Sequence, residues 1–87
     1  MSSDNLDVIT GEILRDLRTR CKLTQEQLGS AVGLGQQAIQ KYESGSVRIT
    51  LTRLFDLTKA LSIAPYDFVW LIATRHGDAM RQKRRKK

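Results

Sequence analysis

Gln36, Gln37, Gln40 and Lys41 stand at positions i, i+1, i+4 and i+5, which share one side of a helix. Three amides and an ammonium make a surface rich in hydrogen-bond donors and acceptors with a single positive charge. A glutamine amide matches adenine N6 and N7 in the major groove of DNA, and a lysine reaches a guanine edge or a phosphate. For those side chains to project together, the residues between them must be anchored. Ile39 and Tyr42 supply the inward face of a short helix from about Gln36 to Ser44, and Gly45 ends it as a C-terminal glycine does.

A second short helix must hold the first in place. Thr24 with Gln27 three residues on forms a capping box, in which two orphan backbone groups satisfy each other, and Leu28 and Val32 follow on one face. Gly33 and Gly35 flank Leu34 in the turn between the two helices, where backbone freedom is needed. Upstream, Leu6, Ile9, Ile13, Leu17 and Cys21 recur at spacings of three and four and predict an amphipathic helix through Cys21, with Gly11 as a weak middle. Its start lies near Thr10 or near Asn5. In register with that apolar stripe, Cys21 is expected to be a buried, inert thiol. Downstream, Thr50 caps a helix carrying Leu51, Leu54, Phe55, Thr58 and Leu61. Pro65 opens a fifth helix with Phe68, Val69, Leu71 and Ile72, and Gly77 is its expected stop.

With 87 residues, 40% apolar and 28% charged, the chain makes one small globular domain with little room for a catalytic cleft beside its core. The expected fold class is all-α: a compact five-helix domain over 10–77, with 1–9 as an N-terminal extension or first helical turn and 78–87 as a basic, disordered tail. One Cys and one His, with no HExxH, Cys-pair, GxSxG or phosphate-loop pattern, argue against an enzyme and against a metal site or other cofactor. His76 reads as a solvated residue near a helix end. No run of about 18 apolar residues is present, and Met-Ser-Ser-Asp-Asn does not open a signal peptide. The expected location is cytoplasmic, with no membrane contact.

The net charge of +6 is unevenly placed. Nine basic and nine acidic residues precede Arg81, so the whole excess sits on Arg81, Lys83, Arg84, Arg85, Lys86 and Lys87. Such a run suits a polyanion and repels itself. Two readings stay open for it: non-specific contacts to DNA phosphates, or a solvated or partner-binding arm. The first predicts that deleting Arg81 to Lys87 flattens the dependence of log affinity on log salt.

Several motifs in order carry a resemblance. Leu14-Arg15-Asp16-Leu17-Arg18, Leu23-Thr24-Gln25-Glu26-Gln27-Leu28, Val32-Gly33-Leu34, Ile39, Glu43-Ser44-Gly45 and Lys59-Ala60-Leu61-Ser62-Ile63 together resemble the Cro/C1-type (XRE-like) helix-turn-helix family, which includes the lambdoid phage repressors and Cro proteins. The likeness covers about Gly11 to Leu71. It implies a lambda-repressor-like fold and a bacterial or phage transcriptional regulator, with the 36–44 helix in the major groove of double-stranded DNA. It further implies that Gln36 and Gln37 read bases and that Gln25, Ser44 and Arg48 hold the sugar-phosphate backbone; Lys41, one turn further along the helix, is expected to join the base-reading set, and Gln40, on its flank, the peripheral backbone set. Arg18 and Glu43 match a structural ion pair. Gly29 departs from the usual alanine, at a propensity cost of about 1 kcal/mol unless close packing explains it. Gly35 replaces the usual Ser or Thr cap.

One such domain reads few bases, so a homodimer on half-sites about 34 Å apart is expected. Tyr66, Val69, Trp70 and Ala73 broaden the apolar face of the fifth helix beyond a single buried stripe and are the candidate interface. The alternative from another class is an antitoxin-like or anti-regulator module, whose main partner is a protein and whose DNA binding is secondary.

Overall fold

In a computed structural model that describes residues 2–84, with side chains described over 6–77, five helices follow in order. They are α1 (Ser2–Arg20), α2 (Gln25–Ala31), α3 (Gln36–Ser44), α4 (Leu51–Ala60) and α5 (Pro65–Arg84). No strand occurs among the described residues, and the all-α, five-helix expectation holds. Both expected threonine caps are made. Thr24 Oγ1 accepts from the Gln27 N–H at 3.0 Å while Gln27 Oε1 accepts from the Thr24 N–H at 2.9 Å. Thr50 Oγ1 accepts from the Arg53 N–H at 3.1 Å.

Helices α1 to α4 all end in the same device, a left-handed residue whose successor donates back to the carbonyl five residues before it. Gly33 (φ 75°) and Gly45 (φ 81°) serve α2 and α3, as their sequence positions suggest. At α1 and α4 the left-handed residues are Lys22 (φ 61°) and Ser62 (φ 58°), at a cost of about 1 to 2 kcal/mol each relative to glycine. The compensation is visible. Leu23 N donates to Arg18 O at 3.2 Å and Ile63 N to Thr58 O at 3.0 Å, and Leu23 and Ile63 each pack against the core.

That core is Ile13, Leu14, Leu28, Ile39, Leu54, Leu57, Leu61 and Phe68, so every helix contributes at least one buried side chain. Thr58, also fully buried, donates its hydroxyl to the Phe55 carbonyl at 3.1 Å, so its polar group is satisfied. Arg53 Nη1 donates to the Val32 carbonyl at 3.3 Å and ties α4 to the end of α2. Arg75 of α5 lies 3.7 Å from Glu12 and 3.6 Å from Asp16 of α1.

Four expectations change, and two helical glycines are explained. Helix α1 starts at Ser2, before either expected start, and runs unbroken through Gly11. An ideal Cβ at Gly11 would lie 2.3 Å from the Tyr42 carbonyl oxygen and 2.6 Å from that of Glu43, so this glycine lets α1 cross the end of α3 in backbone contact. Gly29 is explained in the same way: its Cβ would meet the Leu34 carbonyl oxygen at 2.7 Å, so the α2 backbone presses on the turn leading to α3. Cys21 is exposed, because α1 ends at Arg20 and the apolar period runs one residue past it; its thiol approaches the Leu61 carbonyl at 3.7 Å. Leu51 and Phe55, 70% and 53% exposed, do not share the inward face of α4, which is set by Leu54, Leu57, Thr58 and Leu61. Gly77 does not stop α5, which continues to Arg84; this glycine has no left-handed φ, and one such residue costs a helix only about 1 kcal/mol. Arg81, Lys83 and Arg84 therefore have helical backbone, while their side chains, and Arg85, Lys86 and Lys87 altogether, lie outside the described residues.

Candidate nucleic-acid interface

The α3 helix is held from beneath by Ile39, which is fully buried, and from its far end by Glu43. Gln36, Gln37, Gln40 and Lys41 are all exposed, as their spacing predicts. Gly35 caps the helix without a side-chain bond.

Glu43 is the organising residue of the surroundings. Its carboxylate accepts from Arg18 Nε at 2.5 Å and from Arg18 Nη2 at 3.1 Å, a two-pronged pair in which the side chains are only 11% and 5% exposed. Arg18 Nη1 donates to the Leu23 carbonyl at 2.7 Å, so one guanidinium bonds both α3 and the segment that leads into α2. The expected pair between Arg18 and Glu43 is therefore formed, and it has a third member. Gln25 Nε2 donates to Glu43 Oε1 at 3.0 Å. Because a carboxylate only accepts, the Gln25 amide must turn its NH2 toward Glu43, which leaves its second N–H free to donate elsewhere.

Gln25 and Gln40 line one recess of about 290 Å3 together with Arg15, Arg18, Glu43 and Ser44. Two guanidiniums against one carboxylate leave that recess positive. Arg15, exposed on α1, is a cation that sequence reasoning did not single out; its place one turn before Arg18 was the available signal.

Where α3 runs into its loop, Ser44 Oγ donates to the Lys41 carbonyl at 3.0 Å and lies 2.7 Å from Ser46 Oγ, so its proton is committed to closing the helix. The N–H groups of Gly45 and Ser46 bond the Tyr42 and Lys41 carbonyls at 3.1 and 3.0 Å. Arg48 is then the side chain in this loop with donors to offer. It is 70% exposed, and its Nε bonds both oxygens of Asp7 on α1, at 3.2 and 3.3 Å.

A second surface lies across α4 and α5. Tyr66, Val69 and Trp70 are 76%, 47% and 64% exposed and Ala73 is exposed too, so Trp70 does not complete the core. Sequence reasoning missed the other half of this face. Leu51 and Phe55 from α4 join Tyr66 and Val69 around an apolar groove of about 500 Å3 with Leu54 and Pro65. Among the described residues no group of His, Cys, Asp or Glu is placed to hold a metal ion, and no helix is long and apolar enough to cross a membrane.

Comparison with known proteins places this arrangement. A transcriptional regulator in the ATPase CF(0) region of Rhodospirillum rubrum is 42% identical over 64 residues, which span 74% of this chain and 58% of that protein. An HTH-type transcriptional regulator of Sinorhizobium medicae is 36% identical over 72 residues, 83% of this chain and 51% of the relative. The chain thus spans about half the length of the curated relatives it matches. Among solved structures, the restriction-modification controller protein C.AhdI from Aeromonas hydrophila superposes with a TM-score of 0.69 at 34% identity, over 74% of this chain and 96% of that one. The clp gene regulator ClgR from Corynebacterium glutamicum shares the fold, with a TM-score of 0.81 at 20% identity over 90% of this chain and 83% of that one. The pattern that defines the HTH_3 helix-turn-helix family matches residues 14–68, from the core leucine of α1 to the core phenylalanine of α5. This chain belongs to the Cro/C1-type (XRE) helix-turn-helix family.

Proposed function

We propose that the protein is a sequence-specific transcriptional regulator that binds double-stranded DNA with α3 in the major groove. The observation that carries this reading is the exposed row of Gln36, Gln37 and Lys41 on a short helix whose other side is locked into the core by Ile39 and Glu43. Rigid support matters because base readout needs the amides held to hydrogen-bond precision. Gln36 and Gln37 read base edges and Lys41 extends that reading one turn further. Gln25, Arg48 and Gln40 hold the backbone, which sets register without reading sequence. Kinship with transcriptional regulators and a controller protein supports the same reading.

The body of the protein has no net charge before Arg81, so affinity rests on local cations and on pairing of two copies. We assign the dimer contact to the face formed by Leu51, Phe55, Tyr66, Val69, Trp70 and Ala73. Five large apolar side chains left in water on two adjoining helices are costly for a monomer and resemble half of a buried interface. Sedimentation of Phe55→Glu and Val69→Glu is expected to give a monomer where the parent chain is a dimer at micromolar concentration, with helical content retained. A parent chain that sediments as a monomer would remove the dimer assignment and leave the antitoxin-like reading, in which the face meets a different protein, as the one to test.

A randomised-duplex selection tests the specificity. The parent chain is expected to return a two-fold site, and Gln36→Ala and Gln37→Ala to lose preference at one position per half-site, each by about 1 to 3 kcal/mol. Recovery of the same site with undiminished selectivity by both variants would remove α3 as the reading element.

A further inference from the structure

The first half of α1 precedes the residues that match the family pattern, yet it lies against the end of α3 and the loop beyond it. Three contacts in succession make this brace. Gly11 admits the Tyr42 and Glu43 carbonyls, Val8 packs within 3.0 Å of where a Cβ on Gly45 would stand, and Asp7 receives Arg48. The Asp7 side chain is 19% exposed and lines a recess of about 480 Å3 with Leu6, Thr10, Val47 and Arg48, whereas Arg48 itself is 70% exposed. A mostly buried carboxylate therefore grips an exposed guanidinium, and it does so through Nε alone. The four N–H bonds of the two terminal nitrogens are left to donate outward in a fixed plane.

We propose that Asp7 is a positioning residue for DNA-backbone recognition, orienting Arg48 toward a phosphate before DNA arrives. The proposal rests on the reading of Arg48 as a phosphate contact. Two effects of Asp7 oppose each other. Its charge repels the DNA backbone, while its hold on Arg48 removes the conformational freedom that a long side chain otherwise loses on binding. The Nε–H shared between both oxygens of a shielded carboxylate favours the second.

The test measures affinity for the duplex returned by the selection, across a salt series, for the full chain and for Asp7→Asn, Arg48→Ala and the double variant. Asp7→Asn is expected to weaken binding about three- to tenfold, the effect of ordering one long side chain on association. It is expected to have no such effect once Arg48 is alanine. Arg48→Ala is expected to reduce the slope of log affinity against log salt by about 0.9, one phosphate contact. Tighter binding by Asp7→Asn in both backgrounds would overturn the proposal and leave Asp7 a mere repelling charge. An unchanged salt slope in Arg48→Ala would instead overturn the phosphate reading of Arg48 on which it stands. Equal weakening by Asp7→Asn in both backgrounds would also overturn it, since Asp7 would then act through the fold and not through Arg48.

Discussion

Replacing Arg18 by alanine is expected to destabilise the domain by about 3 to 5 kcal/mol, because it strands the Glu43 carboxylate, 5% exposed, without its counter-ion. For a domain of this size that corresponds to a fall in thermal midpoint on the order of 15 °C or more. The same change removes the donor to the Leu23 carbonyl, so the segment entering α2 loses its tie to α1. Replacing both partners by apolar side chains, as in Arg18→Met with Glu43→Leu, is expected to recover most of the stability, since neither charge then remains buried. DNA affinity is expected to stay low in that double variant, because Gln25 has lost the carboxylate that orients its amide. Calorimetry of the two variants beside a binding titration separates these roles. A thermal midpoint unchanged by Arg18→Ala would show that the pair contributes nothing to the fold.

Gly11→Ala is expected to destabilise the domain by about 2 to 3 kcal/mol, although alanine is the better helix former by about 1 kcal/mol. The new methyl would lie 2.3 and 2.6 Å from two backbone oxygens at the end of α3, and backbone cannot turn aside as a flexible side chain can. Either α1 moves off, breaking its contact with Gly45, or the last turn of α3 distorts beneath Lys41 and Glu43. The internal control is Gly77→Ala. That glycine is also helical, an added Cβ would meet nothing within 4 Å, and substitution is expected to stabilise by about 1 kcal/mol. Chemical denaturation of the two variants should move the midpoint in opposite directions. A stabilised Gly11→Ala would mean that α1 and α3 do not cross in backbone contact.

These two glycines show where sequence reading reaches its limit. Gly11 reads as a weak middle of α1 and Gly77 as the stop of α5, yet both lie inside unbroken helices. What separates them is whether another backbone arrives, and Tyr42 and Glu43 are far from Gly11 in the chain. Lys22 and Ser62 make the complementary case. They end helices in the conformation usually left to glycine, so Lys22 gives no stop signal by its type and Cys21 reads as one more inward position. Phe55 and Leu51 fell on a helical period, but α4 carries two apolar faces, and only packing against α5 decides which one is buried.

From the sequence alone came the order of the helices, the caps at Thr24 and Thr50, the stop at Gly45, and the outward row of Gln36, Gln37 and Lys41. Each follows from interactions between residues close in the chain, where periodicity and capping act. Tertiary structure alone decided that Gln25 shares the Glu43 carboxylate with Arg18, that Asp7 holds Arg48, and that α4 and α5 leave one joint apolar face. The first two join residues 18 and 41 positions apart through helices crossing at backbone distance. Such meetings depend on the angles and separations of packed helices, which no local pattern of residue types encodes.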